Sequence, residues 1–188
     1  MRKILFFAAL LFLAACNSST DGEKMGSMSP TSDKDSAAGT TADNMSYPYT
    51  ASYSSKFEIG DAKNAQTILN LWKAWDNGDL ASMKDVFADT VEMHMASGDV
   101  MRASRDSILA VSQKYRDNYS KVESTVDAFM PLKSIDKNEQ WVSVWGKEVT
   151  TNKKGKIDSS YLQETWRINN NGKVDLMFQY SAKALPKK

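Results

Sequence analysis

Residues 161–180, YLQETWRINNNGKVDLMFQY, constrain the fold more than any other stretch of this chain. Asn170-Asn171-Gly172 supplies a tight turn, and apolar residues alternate on both sides of it: Leu162, Trp166 and Ile168 before, Val174, Leu176, Phe178 and Tyr180 after. A period of two on either side of such a turn predicts a long β-hairpin with one face in a core. Glu164 stands in the middle of that face, between Leu162 and Trp166. A carboxylate there is exposed by the twist of the sheet, paired, or part of a pocket.

The N-terminus predicts a cellular address. Arg2 and Lys3 form a short basic region, residues 4–13 an apolar one, and Leu13-Ala14-Ala15 precedes Cys16, the single cysteine. This resembles a bacterial lipoprotein signal peptide over 1–15, with Cys16 as the lipidated residue. An apolar run of about ten residues is too short to span a bilayer, which takes about 20. A lone cysteine cannot close an internal disulfide. Asn17, rather than Asp, after the cysteine resembles the sorting signal for the outer membrane. Asp21 and Glu23 loosely resemble the surface-export signal of Bacteroidetes lipoproteins. Once Arg2 and Lys3 are removed, the 24 basic side chains become 22 against 23 acidic, and no block of one sign stands out. Nucleic acid is therefore not an expected partner; the membrane, reached through the lipid, is.

Residues 16–46 are Ser, Thr, Asp, Gly and Lys with no aliphatic side chain larger than Met, a composition that cannot bury enough apolar surface to offset ordering entropy. They read as a tether. Tyr47, Pro48, Tyr49, Tyr53, Phe57 and Ile59 mark 47–60 as an extension lying on a domain surface. Asp61 is a good N-cap, and Ala65, Ile68, Leu69, Trp72 and Trp75 recur at helical spacing until Asn77-Gly78. Asp79 is read as capping a short second helix. Val91, Met93 and Met95 alternate with Glu92 and His94 as a strand, and Ser104 opens a third helix whose Ile108, Leu109, Val111 and Tyr115 form an apolar stripe. Strands over 122–135, 140–151, 156–168 and 173–182 complete the chain, joined by polar turns. Helices first and an antiparallel meander afterwards predict an α+β fold, with three N-terminal helices packed in the concave side of a curved, mainly antiparallel sheet over 61–183, and a tail at 184–188.

In this order, Trp75-Asp76-Asn77-Gly78-Asp79-Leu80, Val86-Phe87-Ala88-Asp89-Thr90-Val91 and Trp166-Arg167-Ile168 running into Asn171-Gly172-Lys173-Val174 resemble the nuclear transport factor two-like superfamily. That superfamily includes SnoaL-like cyclases and ketosteroid isomerase, and builds a cone-shaped α+β barrel. Lipoprotein signal, tether and such a domain together resemble uncharacterised Bacteroidetes lipoproteins. Carried over residue by residue, the isomerase's oxyanion-hole tyrosine falls on Leu71, its general base on Met93 and its hydrogen-bond-donating acid on Glu164. A Leu and a Met neither abstract a proton nor stabilise an enolate, which excludes the isomerase's own mechanism.

Other chemistry has few candidates. His94, the one histidine, pairs with Glu164 as acid and base if its strand turns it inward, and lies on the polar face beside Glu92 otherwise. Asp127 either faces the same cavity or solvent. Leu71, Trp75, Met93 and Trp166 are expected to line the pocket. No zinc spacing, calcium loop or Gly-rich phosphate loop is present, so neither metal nor cofactor is expected. Trp141 and Trp145, on alternate positions of one strand, suggest a homodimer through the sheet. Three readings follow: a lipid-anchored, non-enzymatic envelope module with an apolar pocket for a small apolar ligand; a SnoaL-like isomerase, cyclase or hydrolase using Glu164 and His94; and an accessory docking subunit.

Overall fold

The computed structural model describes residues 46–184. The expected signal peptide over 1–15, Cys16, the expected tether up to residue 45 and the last four residues lie outside that range. A three-residue strand β1 (Phe57–Ile59) leads to helix α1 (Ala62–Asn77). Asp61 caps α1 by accepting from the Lys63 amide (2.8 Å), and Gly78 ends it in the left-handed region at φ 73°. A 3-10 helix (Leu80–Val86) follows, then β2 (Phe87–His94), β3 (Val100–Ser104), α2 (Arg105–Arg116), β4 (Tyr119–Ser134), β5 (Glu139–Asn152), β6 (Ile157–Ile168) and β7 (Val174–Lys183). Asp79 does not act as the expected side-chain cap. Instead its carbonyl accepts from the Ser82 hydroxyl, 2.7 Å away.

The seven strands form one unclosed sheet in the order β1-β4-β5-β6-β7-β2-β3. All neighbours are antiparallel except β2 and β7, which run parallel. The expected α+β architecture, three helices against a curved, mainly antiparallel sheet, is the one the chain adopts. Ile68 and Trp72 of α1, Ile108 of α2, and Val91, Val142, Val144, Trp166, Val174 and Met177 of the sheet form the core between the layers. Gly146 makes this packing possible. A Cβ there would lie 2.5 Å from the Thr125 carbonyl oxygen and 2.9 Å from the Trp72 ring, so only glycine lets the indole lie flat on β5.

Two expectations about faces are corrected. In α2 only Ile108 and Arg116 are buried, while Val111 and Tyr115 are exposed. The helix covers the core with its first turns and leaves the rest of its stripe outside. In the hairpin, Ile168 pairs with Val174 but Arg167 with Leu176, so Asp175 is an extra residue in β7. A bulge of one residue inverts every side chain beyond it. Val174 stays in the core, Met177 and Gln179 turn inward, and Leu176, Phe178 and Tyr180 move to the outer face.

Candidate functional site

Glu164 lies on the inner face of β6 and is 7% exposed. Gly146 allows Trp72 of α1 to reach it across the sheet. The Trp72 indole N–H donates to Glu164 Oε2 at 2.6 Å, and the Trp166 indole, two residues away on the same face, donates to the same oxygen at 3.0 Å. Gln179, turned inward by the Asp175 bulge, donates from Nε2 to Oε1 at 2.9 Å. Burial pushes the Glu164 carboxyl above its ordinary range, and the Gln179, Trp72 and Trp166 donors pull it part of the way back. Both oxygens already accept. A proton on either would displace an N–H bond, and the rotated Gln179 amide is the one acceptor among the groups that hold the carboxyl, so the arrangement fits a structural, held carboxyl better than a proton shuttle.

The other candidates separate. Leu71, Met93 and Trp166 are buried in the core. Trp75 is half-buried at the far end of α1, where its indole donates to Glu148 on β5. His94 faces outward: its Nε2 stands 2.7 Å from Glu92 Oε1, and its ring packs on Phe178 at 4.6 Å between centroids. The parity that buries Val91 and Met93 turns Glu92 and His94 to the opposite face, so His94 is no partner of Glu164. Asp127 is the extra residue of a bulge in β4, between Val126 opposite Gly146 and Ala128 opposite Trp145, and it is exposed. Arg102 lies opposite Glu92 on the outer face, and Arg105 reaches the Phe87 carbonyl; neither is among the donors to Glu164.

A groove of about 450 Å³ runs over the outer face of the sheet. Leu132, Trp141, Leu176 and Phe178 line it, with Arg167 and Tyr53 beside them. Arg167 is held by Asp175 (Nε to Oδ1, 2.9 Å), with Glu139 3.6 Å away, and lies over the Trp141 ring. Tyr53 of the N-terminal extension packs edge-on against Trp141 (5.7 Å), accepts from its indole N–H (3.1 Å) and donates to Glu139. Trp141 is therefore covered by its own chain, and beside it on this face Phe178 is partly buried and Tyr180 exposed. Sequence reasoning missed Gln179, Glu148 and this groove. Gln179 and the groove depend on which face β7 presents after its bulge, whereas Glu148 shares the unbroken parity of Val142 and Val144 in β5. The aspartates that occupy the bulge positions of β4 and β7 are the one local signal.

No protein-family model matches the chain, and no curated protein matches it. Solved structures do. AusH from Aspergillus nidulans superposes with a TM-score of 0.53 at 16% identity, covering 69% of this chain and 90% of that one. An LEH-like epoxide hydrolase of M.tuberculosis gives 0.54 at 8%, covering 64% and 84%. An NTF2-like protein of unknown function from Exiguobacterium sp. gives 0.52 at 10%, covering 63% and 99%. At these identities the likeness is one of fold: the domain has the nuclear transport factor two-like fold, also called SnoaL-like.

Proposed function

We propose that this domain of nuclear transport factor two-like fold is a non-enzymatic binding module, held to the bacterial outer membrane by a lipid on Cys16, that carries a small apolar ligand in the groove on the outer face of its sheet. One observation carries the reading. The groove has an apolar floor of Leu132, Trp141, Leu176 and Phe178, while its charged neighbours Arg167, Asp175 and Glu139 are already paired with one another. A flat uncharged molecule entering it buries apolar surface without stranding a charge. The three donors on Glu164 support the same reading by occupying both oxygens of that acid. Residues 13–17, LAACN, support the anchor and the membrane.

N-phenyl-1-naphthylamine, a neutral apolar fluorophore, tests the groove. Its emission should rise saturably with one site per chain, Leu176→Asp should abolish the rise, and Glu164→Gln should leave it intact. Equal binding to the Leu176→Asp protein overturns the proposal. A second reading keeps the cone as an active site of a hydrolase or cyclase. Its support is the raised carboxyl of Glu164 in a fold shared with an LEH-like epoxide hydrolase. That reading requires Glu164→Gln to abolish turnover, and it proceeds without His94.

A further inference from the structure

We propose that Glu148, with the rings of Trp75, Tyr115 and Tyr119, forms a binding site for an organic ammonium ion, a primary or methylated amine, distinct from the groove and from Glu164. The site joins four elements: Trp75 on the last turn of α1, Tyr115 on the last turn of α2, Tyr119 at the start of β4, and Glu148 on the inner face of β5. Trp75 and Tyr115 lie nearly parallel, at 18° and 6.2 Å between centroids, and Tyr115 meets Tyr119 edge-on at 5.7 Å. Glu148 accepts from the Trp75 indole through Oε2 alone; among the described residues Oε1 accepts no hydrogen bond.

The charges around Glu148 do not cancel it. Asp76, beside it, is held by the Ser124 hydroxyl and amide, which neutralise nothing. Arg116 is the nearby cation, but its Nε, NH2 and NH1 donate to the carbonyls of Trp75, Asp76 and Tyr119 at 2.6, 2.7 and 3.0 Å. It closes the C-terminus of α1, which has no basic residue of its own in its last turn. Burial, with Asp76 adding to it, outweighs the Trp75 hydrogen bond and the Arg116 charge, which pull the other way, and holds the Glu148 carboxyl above its ordinary range. A cation would supply what Glu148 lacks, and aromatic faces attract cations held within about 6 Å of their centres. Among the described residues no group of three His, Cys, Asp or Glu side chains could hold a metal. Three rings and one free carboxylate oxygen instead suit a bulky, weakly hydrated ammonium ion.

Titration of the intact chain with tetramethylammonium chloride and with n-butylammonium chloride, followed by the NMR cross-peak of the Trp75 indole N–H, tests this. Trp75→Phe assigns the peak, and sodium chloride at equal ionic strength is the control. A saturable shift in the millimolar range is expected with at least one amine. Glu148→Gln should weaken binding about tenfold, and Tyr115→Leu, which removes an exposed ring, about threefold. A shift reproduced by sodium chloride, no saturation with either amine, or undiminished binding to the Glu148→Gln protein overturns the proposal. Leu176→Asp leaves this titration unchanged, so the two sites fail or stand separately.

Discussion

At Glu164 a buried charge is retained because three N–H groups converge on it, and that has a thermodynamic consequence. A carboxyl whose pKa is raised by burial binds its proton more tightly in the folded chain than in the unfolded one, where it titrates near 4.3. Stability from that proton is fully present below the unfolded value and is lost as pH rises through the folded one. Glu164→Gln removes the titration while keeping the shape, and the Gln179 amide can rotate to accept from the new side chain. The melting temperature of Glu164→Gln relative to the native protein should therefore increase as pH rises from about 4 through the raised value of the folded carboxyl, and level off above it. Glu148, raised in the same direction, titrates in both proteins, and because its charge is one of the causes that raise Glu164, Glu148→Gln should flatten the difference. A difference that stays constant over this range would show that Glu164 folds with an ordinary carboxyl.

At the scale of elements, legibility in the sequence followed the range of the interaction. Helix α1 was readable because Asp61, the apolar spacing and Gly78 are local signals, and β4 to β7 because polar turns punctuate alternating runs. The parallel pairing of β2 with β7 brings together residues about 85 apart and leaves no local mark. Strand β1, three exposed residues added to the β4 edge, has too little pattern to detect. Faces were harder than elements. Leu176, Phe178 and Tyr180 have the alternation of a core strand, and only the pairing of Arg167 with Leu176 shows that the Asp175 bulge turned them out. The same bulge brought Gln179 to Glu164, so groove and buried network share one cause. The packing of α1 on β5 is equally specific. Gly146→Ala sets a methyl group against backbone and ring at distances neither can yield, and should destabilise the domain by about 3 kcal/mol. In a thermal melt that is a drop of about 10 °C. A loss of less than about 3 °C would mean that Trp72 repacks freely and does not depend on the bare backbone at Gly146.

For the whole molecule, anchor and domain should be separable functions joined by one covalent chain. Among the described residues the domain's side-chain hydrogen bonds and core are made from Tyr53 onward, the first of them the Tyr53 hydroxyl, which donates to Glu139 and accepts from the Trp141 indole. No helix among the described residues is long and apolar enough to cross a membrane. On the proposed reading, membrane attachment rests on the lipid at Cys16. An acyl chain contributes about 0.8 kcal/mol per buried CH₂, and several chains together anchor a protein firmly where one does so only marginally. Cys16→Ser should then move the protein from the membrane to the soluble fraction on cell fractionation. Its thermal unfolding and its response to N-phenyl-1-naphthylamine should match those of the lipidated form in the same detergent. Persistent membrane association of the Cys16→Ser protein would remove the lipid from the proposal and point to the domain surface as the attachment. There the outer face, with Tyr180 exposed and Phe178 partly buried beside the covered Trp141, is the first surface to mutate.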